Sequence, residues 1–424
     1  MRRARSIALC LSVVVMALFL TVCGKAETAS AGTADAREIY YVTTTDGIVL
    51  AMKRYRPDSN ASMNIGKQPV ILMPGLTANI NYFDIRTPAG ENYNVKLPAN
   101  LASWAAGDPY IQADPMKYYS LPYYLWKQGY DVWLANYRGQ GRYPVKSGGR
   151  YGYAIDELGI YDMPAIVKKV YEVTGKHPVW IGHSMGSTMA YMYLQGAKFR
   201  VASYADSHVV SDSALVAERN NGTGKQALKG LVDLDGPVIP VGSPPSIFDA
   251  AIWTALSVPS YVDLQLLSSL GLTGITGLVD FSSSTNANNI DKNVADYIQK
   301  YAVDGFSTRT AAQYGDASTN KKLREDYKNG NPLLVFPPKP RTGDGYYYYS
   351  DNLSKISLPT LIIADSTVDI TDPNDIQNFY NKKSRNAKDA FYIIPGTAHV
   401  DLVVGLNAPT ELYPKIGHWL ESLQ

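Results

Sequence analysis

The stretch Val179-Trp180-Ile181-Gly182-His183-Ser184-Met185-Gly186 constrains this chain more than any other. Three apolar residues read as a buried strand, and Ser187–Leu194 reads as a helix. Between them lies a G-x-S-x-G pentad. A strand that turns at once into a helix leaves no room for Cβ atoms beside the turn, so glycine belongs on both flanks of the serine. Such a turn lifts the Ser184 hydroxyl out of a sheet. It also aims the N–H groups of a helix start at the same space, which suits an anion. The pentad alone is short enough to arise by chance. Its strand–helix context selects an activated Ser184 over a plain turn serine.

The rest of the chain repeats this alternation. Glu38–Thr43 and Val49–Tyr55 form an expected hairpin around Thr45-Asp46-Gly47. Val70–Met73, Tyr130–Asn136, Gly230–Leu234, Thr360–Ala364 and Ala390–Ile394 read as further strands. Met116–Lys127, Glu157–Val173 and Glu411–Leu423 read as helices. Strands alternating with helices give an α/β architecture, a mostly parallel central sheet flanked by helices. No parallel-strand pattern occupies 240–355, which is expected to be an inserted cap between core segments 38–239 and 356–424. Its segment Ile247–Leu256 sets Ile247, Phe248, Ala251, Ile252 and Leu256 at helical spacing. That stripe suits cap core, or a lid facing lipid. Tyr346–Tyr349 suits an edge strand or an aromatic pocket.

The N-terminus is expected to lie outside the fold. Arg2, Arg3 and Arg5 precede the apolar run Ile7–Val22, the pattern of a secretory leader over 1–26, with a flexible linker over 27–37. Leu20-Thr21-Val22-Cys23 resembles the lipobox of bacterial lipoproteins, although Val22 stands where a small residue is usual. The expected outcomes are a membrane-anchored lipoprotein through Cys23, or a protein cleaved after Ala26 or Ala31 and secreted or periplasmic. The two cysteines, Cys10 and Cys23, both fall in this leader, so the exported part holds no internal disulfide. With 40 basic and 38 acidic residues and no basic stripe, no nucleic-acid partner is expected.

A serine hydroxyl needs a base, and the base an acid that orients it. At a strand–turn–helix serine the partners follow in the order serine, acid, histidine. That order leaves His399 and His418 of the five histidines. His399 follows a strand through Pro395-Gly396-Thr397-Ala398, at the carboxyl edge where such sheets carry their sites, and is the expected base. His418 falls on the C-terminal helix, and His183 is expected to pack beneath the site. The acid is expected after Thr360–Ala364, where Asp365, Asp369 and Asp372 stand. Asp372-Pro373 reads as a helix N-cap, so Asp369 is favoured, with Asp365 second. Asp369, Asp372 and Asp375 lack the spacing and glycine of a calcium loop, and no metal or cofactor is expected. For the oxyanion, Met185 N–H follows the nucleophile. Leu76 N–H, in Pro74-Gly75-Leu76-Thr77 after Val70–Met73, is the second expected donor.

These segments resemble the acid lipase family, the gastric and lysosomal type. The likeness lies in GYDVWLANYRG (129–139), in DELGIYDMPA (156–165) and in Gly182-His183-Ser184-Met185-Gly186. It extends to TTTDGIVLAMKRYRP (43–57) and to Ala398-His399-Val400-Asp401 with Gly405-Leu406-Asn407-Ala408-Pro409. The resemblance implies an α/β-hydrolase core and a serine lipase or esterase whose triad is Ser184, Asp369 and His399, acting on an ester or lipid substrate. Three departures stand out. Met73-Pro74-Gly75 replaces the family's Gln-His-Gly. Asp369 lies three residues before Asp372 rather than four. The cap is not matched. The alternatives are the same fold acting on another acyl bond, as an amidase, thioesterase or polyester depolymerase, or a non-catalytic surface binding protein.

Overall fold

The computed structural model describes residues 38–57, 67–200, 208–240, 261–269, 284–326 and 345–424. The leader, the linker and the stripe Ile247–Leu256 lie outside these residues. Eight strands form one sheet: β1 (Ile39–Thr43), β2 (Val49–Tyr55), β3 (Pro69–Met73), β4 (Asp131–Ala135), β5 (Val179–His183), β6 (Gly230–Leu234), β7 (Thr360–Ala364) and β8 (Ala390–Ile393). Their spatial order is β1-β2-β4-β3-β5-β6-β7-β8. The first two strands pair antiparallel, and β2 runs antiparallel to β4. From β4 to β8 every pairing is parallel. The expected mostly parallel sheet is therefore observed.

Strands β3 to β7 are buried along their whole length, as strands covered on both faces must be. Alternate side chains feed two cores. Val70, Leu72, Val132, Leu134 and Ile181 pack on the side of helices α1 (Leu121–Lys127) and α6 (Tyr413–Ser422). Ile71, Met73, Trp133 and Trp180 pack on the side of α2 (Met163–Thr174), α3 (Met185–Leu194) and α5 (Pro373–Lys382). Helix α4 (Thr308–Asn320) lies in the segment between β6 and β7.

Two expected helices are interrupted. The segment from Met116 to Lys127 is a 3₁₀ turn, Pro115–Tyr119, followed by α1. Pro122 lacks an N–H, so one continuous helix cannot pass through it, and Ser120 caps the second piece through Tyr123 N–H. The helix expected over Glu157–Val173 contains a π turn at Leu158–Asp162. There Gly159 lies so close to α3 that a Cβ would sit 2.7 Å from Met192 Cβ.

The segment between β6 and β7 meets the loop after β3 in a small antiparallel sheet. Its strand Val303–Ser307 lies between Tyr261–Asp263 and Thr77–Ala78, the latter in the loop after β3. Asn79 N–H also donates to Ala302 O at 2.8 Å. The strand Val303–Ser307 thus holds the loop that carries Leu76. The run Tyr346–Tyr349 forms no edge strand. Tyr348 makes a single bridge to Arg324, and Tyr349 is buried with its hydroxyl donating to Asp156 at 2.8 Å.

Candidate active site

Ser184 sits between β5 and α3 with φ 54° and ψ −124°, a strained conformation for a residue with a side chain. The three glycines around it are sterically required. A Cβ on Gly182 would lie 2.4 Å from the Gly186 carbonyl carbon, and one on Gly186 would lie 2.2 Å from Met73 O. A Cβ on Gly75 would lie 2.7 Å from Ser184 Cβ and 3.2 Å from its Oγ. The loop after β3 thus presses directly against the serine. Met185 is the first residue of α3, so its N–H has no partner within the helix.

His399 follows β8 at the same edge of the sheet and is buried. Its Nδ1 lies 2.5 Å from Asp235 Oδ2. This is the correction to the sequence reading: neither Asp369 nor Asp365 meets the imidazole. Asp235 is the residue directly after β6, and it adopts φ 57°, a conformation that aspartate tolerates better than most side chains. Its carboxylate also accepts from the Thr371 hydroxyl at 2.7 Å and from the Asp365 N–H at 3.3 Å. The Asp369 carboxylate is engaged elsewhere. Its Oδ1 is used by the N–H groups of Ile370 and Thr371, and its Oδ2 accepts the backbone N–H of His399 at 3.1 Å. It shapes the loop and leaves the ring to Asp235. Asp372 is the N-cap of α5, accepting from Asn374 N–H at 2.8 Å.

One signal for Asp235 was present in the sequence. Leu234-Asp235-Gly236-Pro237 ends a strand one position earlier in the sheet and still lies between Ser184 and His399 in chain order. Gly236 completes that signal, because a Cβ there would lie 2.3 Å from Ser187 Cβ. The turn carrying Asp235 packs on the first turn of α3.

His183 lies under the site, stacked on Tyr82 with ring centroids 4.7 Å apart. Its Nε2 is 3.0 Å from the His399 carbonyl oxygen, and Tyr82 donates to Val400 O at 2.7 Å. Together they anchor the backbone of the His399 loop. Burial, and then the neighbouring His399, push the His183 pKa down to about 3, so that ring stays neutral. For Asp235, burial opposes ionisation. The hydrogen bonds from His399 and Thr371 and the imidazole charge outweigh it and hold the carboxyl below its ordinary value.

Ser184 and His399 line one cavity of about 190 Å³ with Leu76, Thr77, Pro237 and Ile370. Ile298, Ala302, Val303 and Tyr314, from the segment between β6 and β7, close another side. The walls are almost wholly apolar. The site can therefore hold an apolar chain beside a serine, a paired imidazole and N–H donors. An oxygen of Asp235, an oxygen of Asp365 and a ring nitrogen of His399 also lie within 4.8 Å of one another, a spacing that ligands to an ion can share.

A family model described as "alpha/beta hydrolase fold" matches residues 68–205, the segment that carries β3, β4, β5 and the serine turn. The chain has the α/β-hydrolase fold. Among curated relatives, human lipase member K is 25% identical over 401 residues, covering 89% of this chain and 85% of that protein. Rat gastric triacylglycerol lipase is 31% identical over 161 residues, 36% of this chain and 33% of that protein. Among solved structures, a soluble variant of the Saccharomyces cerevisiae monoglyceride lipase superposes with a TM-score of 0.51 at 14% identity, covering 95% of this chain and 98% of that one. The chain is thus similar, at a distance, to lipases of the gastric type.

Proposed function

We propose that the protein is a serine hydrolase that cleaves carboxylic esters with an apolar acyl group, through an acyl-enzyme. The observation that carries the reading is that His399, which lines one cavity with Ser184, has its Nδ1 paired with Asp235. Because Nδ1 is bound to Asp235, Nε2 is the nitrogen left for chemistry. His399 Nε2 takes the proton of Ser184 as Oγ attacks the ester carbonyl. Asp235 keeps the ring in that tautomer and stabilises the imidazolium. The oxyanion is held by the N–H groups of Leu76 and Met185. His399 then gives its proton to the leaving alcohol, and water releases the acyl group by the same base. The neutral His183 adds no charge next to the imidazolium.

The apolar walls, together with the lipases among the relatives, support an ester or lipid substrate whose acyl chain fills the cavity. The leader-like N-terminus supports export, with Cys23 as a lipid anchor or removed by cleavage. Among the described residues, no helix is long and apolar enough to cross a membrane.

The test is hydrolysis of p-nitrophenyl esters from acetate to palmitate by the chain from residue 27 onward, beside its Ser184→Ala variant. The expected result is turnover that falls by roughly 10³-fold or more in the variant. Folded protein inactive on every ester would overturn the reading.

A further inference from the structure

The acid beside His399 has a neighbour that the mechanism does not use. Asp365, at the end of β7, is fully buried. Its Oδ1 accepts the Thr367 N–H at 3.1 Å, a local turn that asparagine would make equally well. Its Oδ2 is buried with no hydrogen-bond partner. An orphaned buried carboxyl oxygen is costly, and local structure alone does not call for an acid here. An oxygen of this same carboxyl lies within 4.8 Å of both an Asp235 oxygen and a His399 ring nitrogen.

We propose that the site holds two interchangeable acids, and that Asp365 is the second, able to take the His399 Nδ1–H bond when Asp235 is withdrawn. The topology makes this possible. β6 and β7 are parallel neighbours in register, with Leu234 opposite Ile363, so their C-terminal ends deliver Asp235 and Asp365 to one place. Either strand end can then serve the same imidazole. The inference rests on the triad reading above.

Two adjacent buried carboxyls cannot both ionise readily. The groups facing Asp365 are Asp235 from β6, Asp369 from the loop after β7, and Asp401 with His399 from the segment after β8. Burial first, and then the charges of Asp235, Asp369 and Asp401, push its pKa up to about 10. Asp365 therefore carries the proton and Asp235 the charge. If Asp235 is removed, its repulsion is lost. Asp365 then releases its proton to water, and the resulting carboxylate accepts the imidazole N–H.

The test is a double-mutant cycle on kcat/KM with Asp235→Gly, Asp365→Asn and the double variant. Glycine fits the left-handed backbone at position 235 and vacates the space. Asp365→Asn is expected to lower kcat/KM at least tenfold more in the Asp235→Gly background than in the wild-type background. Equal effects in both backgrounds would overturn the proposal. A second readout needs no turnover. Carboxyl ¹³C NMR of aspartate-labelled protein should show one protonated carboxyl at neutral pH that Asp365→Asn removes, and its absence from the wild-type spectrum would also overturn the proposal. If the wild type hydrolyses no ester but shows this carboxyl, the catalytic reading fails and the proton assignment stands. Thermal melts of every variant separate loss of an acid from loss of fold.

Discussion

Gly75→Ala tests how tightly the oxyanion loop is built against the nucleophile. The new Cβ would meet Ser184 Cβ at 2.7 Å and Oγ at 3.2 Å, with His183 Nδ1 at 3.3 Å. Carbon atoms in ordinary contact stand about 3.5–4.0 Å apart, so roughly 1 Å of relief is needed. Ser184 cannot supply it. It is strained already, and the turn around it is jammed at Gly182 and Gly186. The loop must move, although Gly75 O accepts from Tyr137 and the next residues pair with Val303–Ser307. Overpacking of this kind costs about 1–3 kcal/mol of stability. A 1 Å error at a catalytic group costs about 10²-fold, and loss of one oxyanion donor about 10²–10³-fold. The expected result is therefore a fall in kcat of about 10²–10³-fold with KM little changed, in a variant that still melts cooperatively. Ester hydrolysis followed over a range of substrate concentrations gives both constants. A kcat within about threefold of wild type would refute the packing argument.

Three further outcomes are expected. Asp235→Asn should lower kcat/KM at least roughly tenfold more than Asp369→Asn, because Asp235 rather than Asp369 holds His399 Nδ1 and an asparagine at 235 still fills the space Asp365 would need; equal losses on parallel assays would return Asp369 to the triad. Burial and then the neighbouring carboxylates push the Asp365 pKa up to about 10, well above the value of about 4 of an unfolded aspartate, so this group should make stability fall as pH rises. The melting temperature of Asp365→Asn should accordingly fall less than that of wild type between about pH 5 and pH 9, as calorimetry would register. Ile370 lines the cavity from a half-buried loop position, so Ile370→Trp should cut the palmitate-to-butyrate ratio of kcat/KM by about tenfold; an unchanged ratio would remove this wall from acyl selection.

Much of the fold was legible because each core strand is short, apolar and bounded by turn residues. Gly230–Leu234 and Thr360–Ala364 match the observed strands at both ends. Ser184 was legible because its conformation demands glycines at fixed positions, and His399 because chain order left few candidates. The acid was not legible. Aspartates end both β6 and β7, and two parallel neighbours in register bring both ends beside the imidazole. Only side-chain geometry separates them. Asp369 was misleading for a related reason, since it does contact His399, but through the backbone N–H. The antiparallel pairing of Val303–Ser307 with the Leu76 loop was also hidden, because Thr77–Ala78 is too short to register as a strand.

The central claim is that Ser184 is an activated nucleophile, and covalent labelling tests it most directly. The protein would be treated with a serine-directed fluorophosphonate, and the adduct mapped by peptide mass spectrometry. The account predicts one adduct per chain, on Ser184, with labelling strongly slowed in His399→Ala. Folded protein that takes no label, or takes it on another residue, would contradict the account.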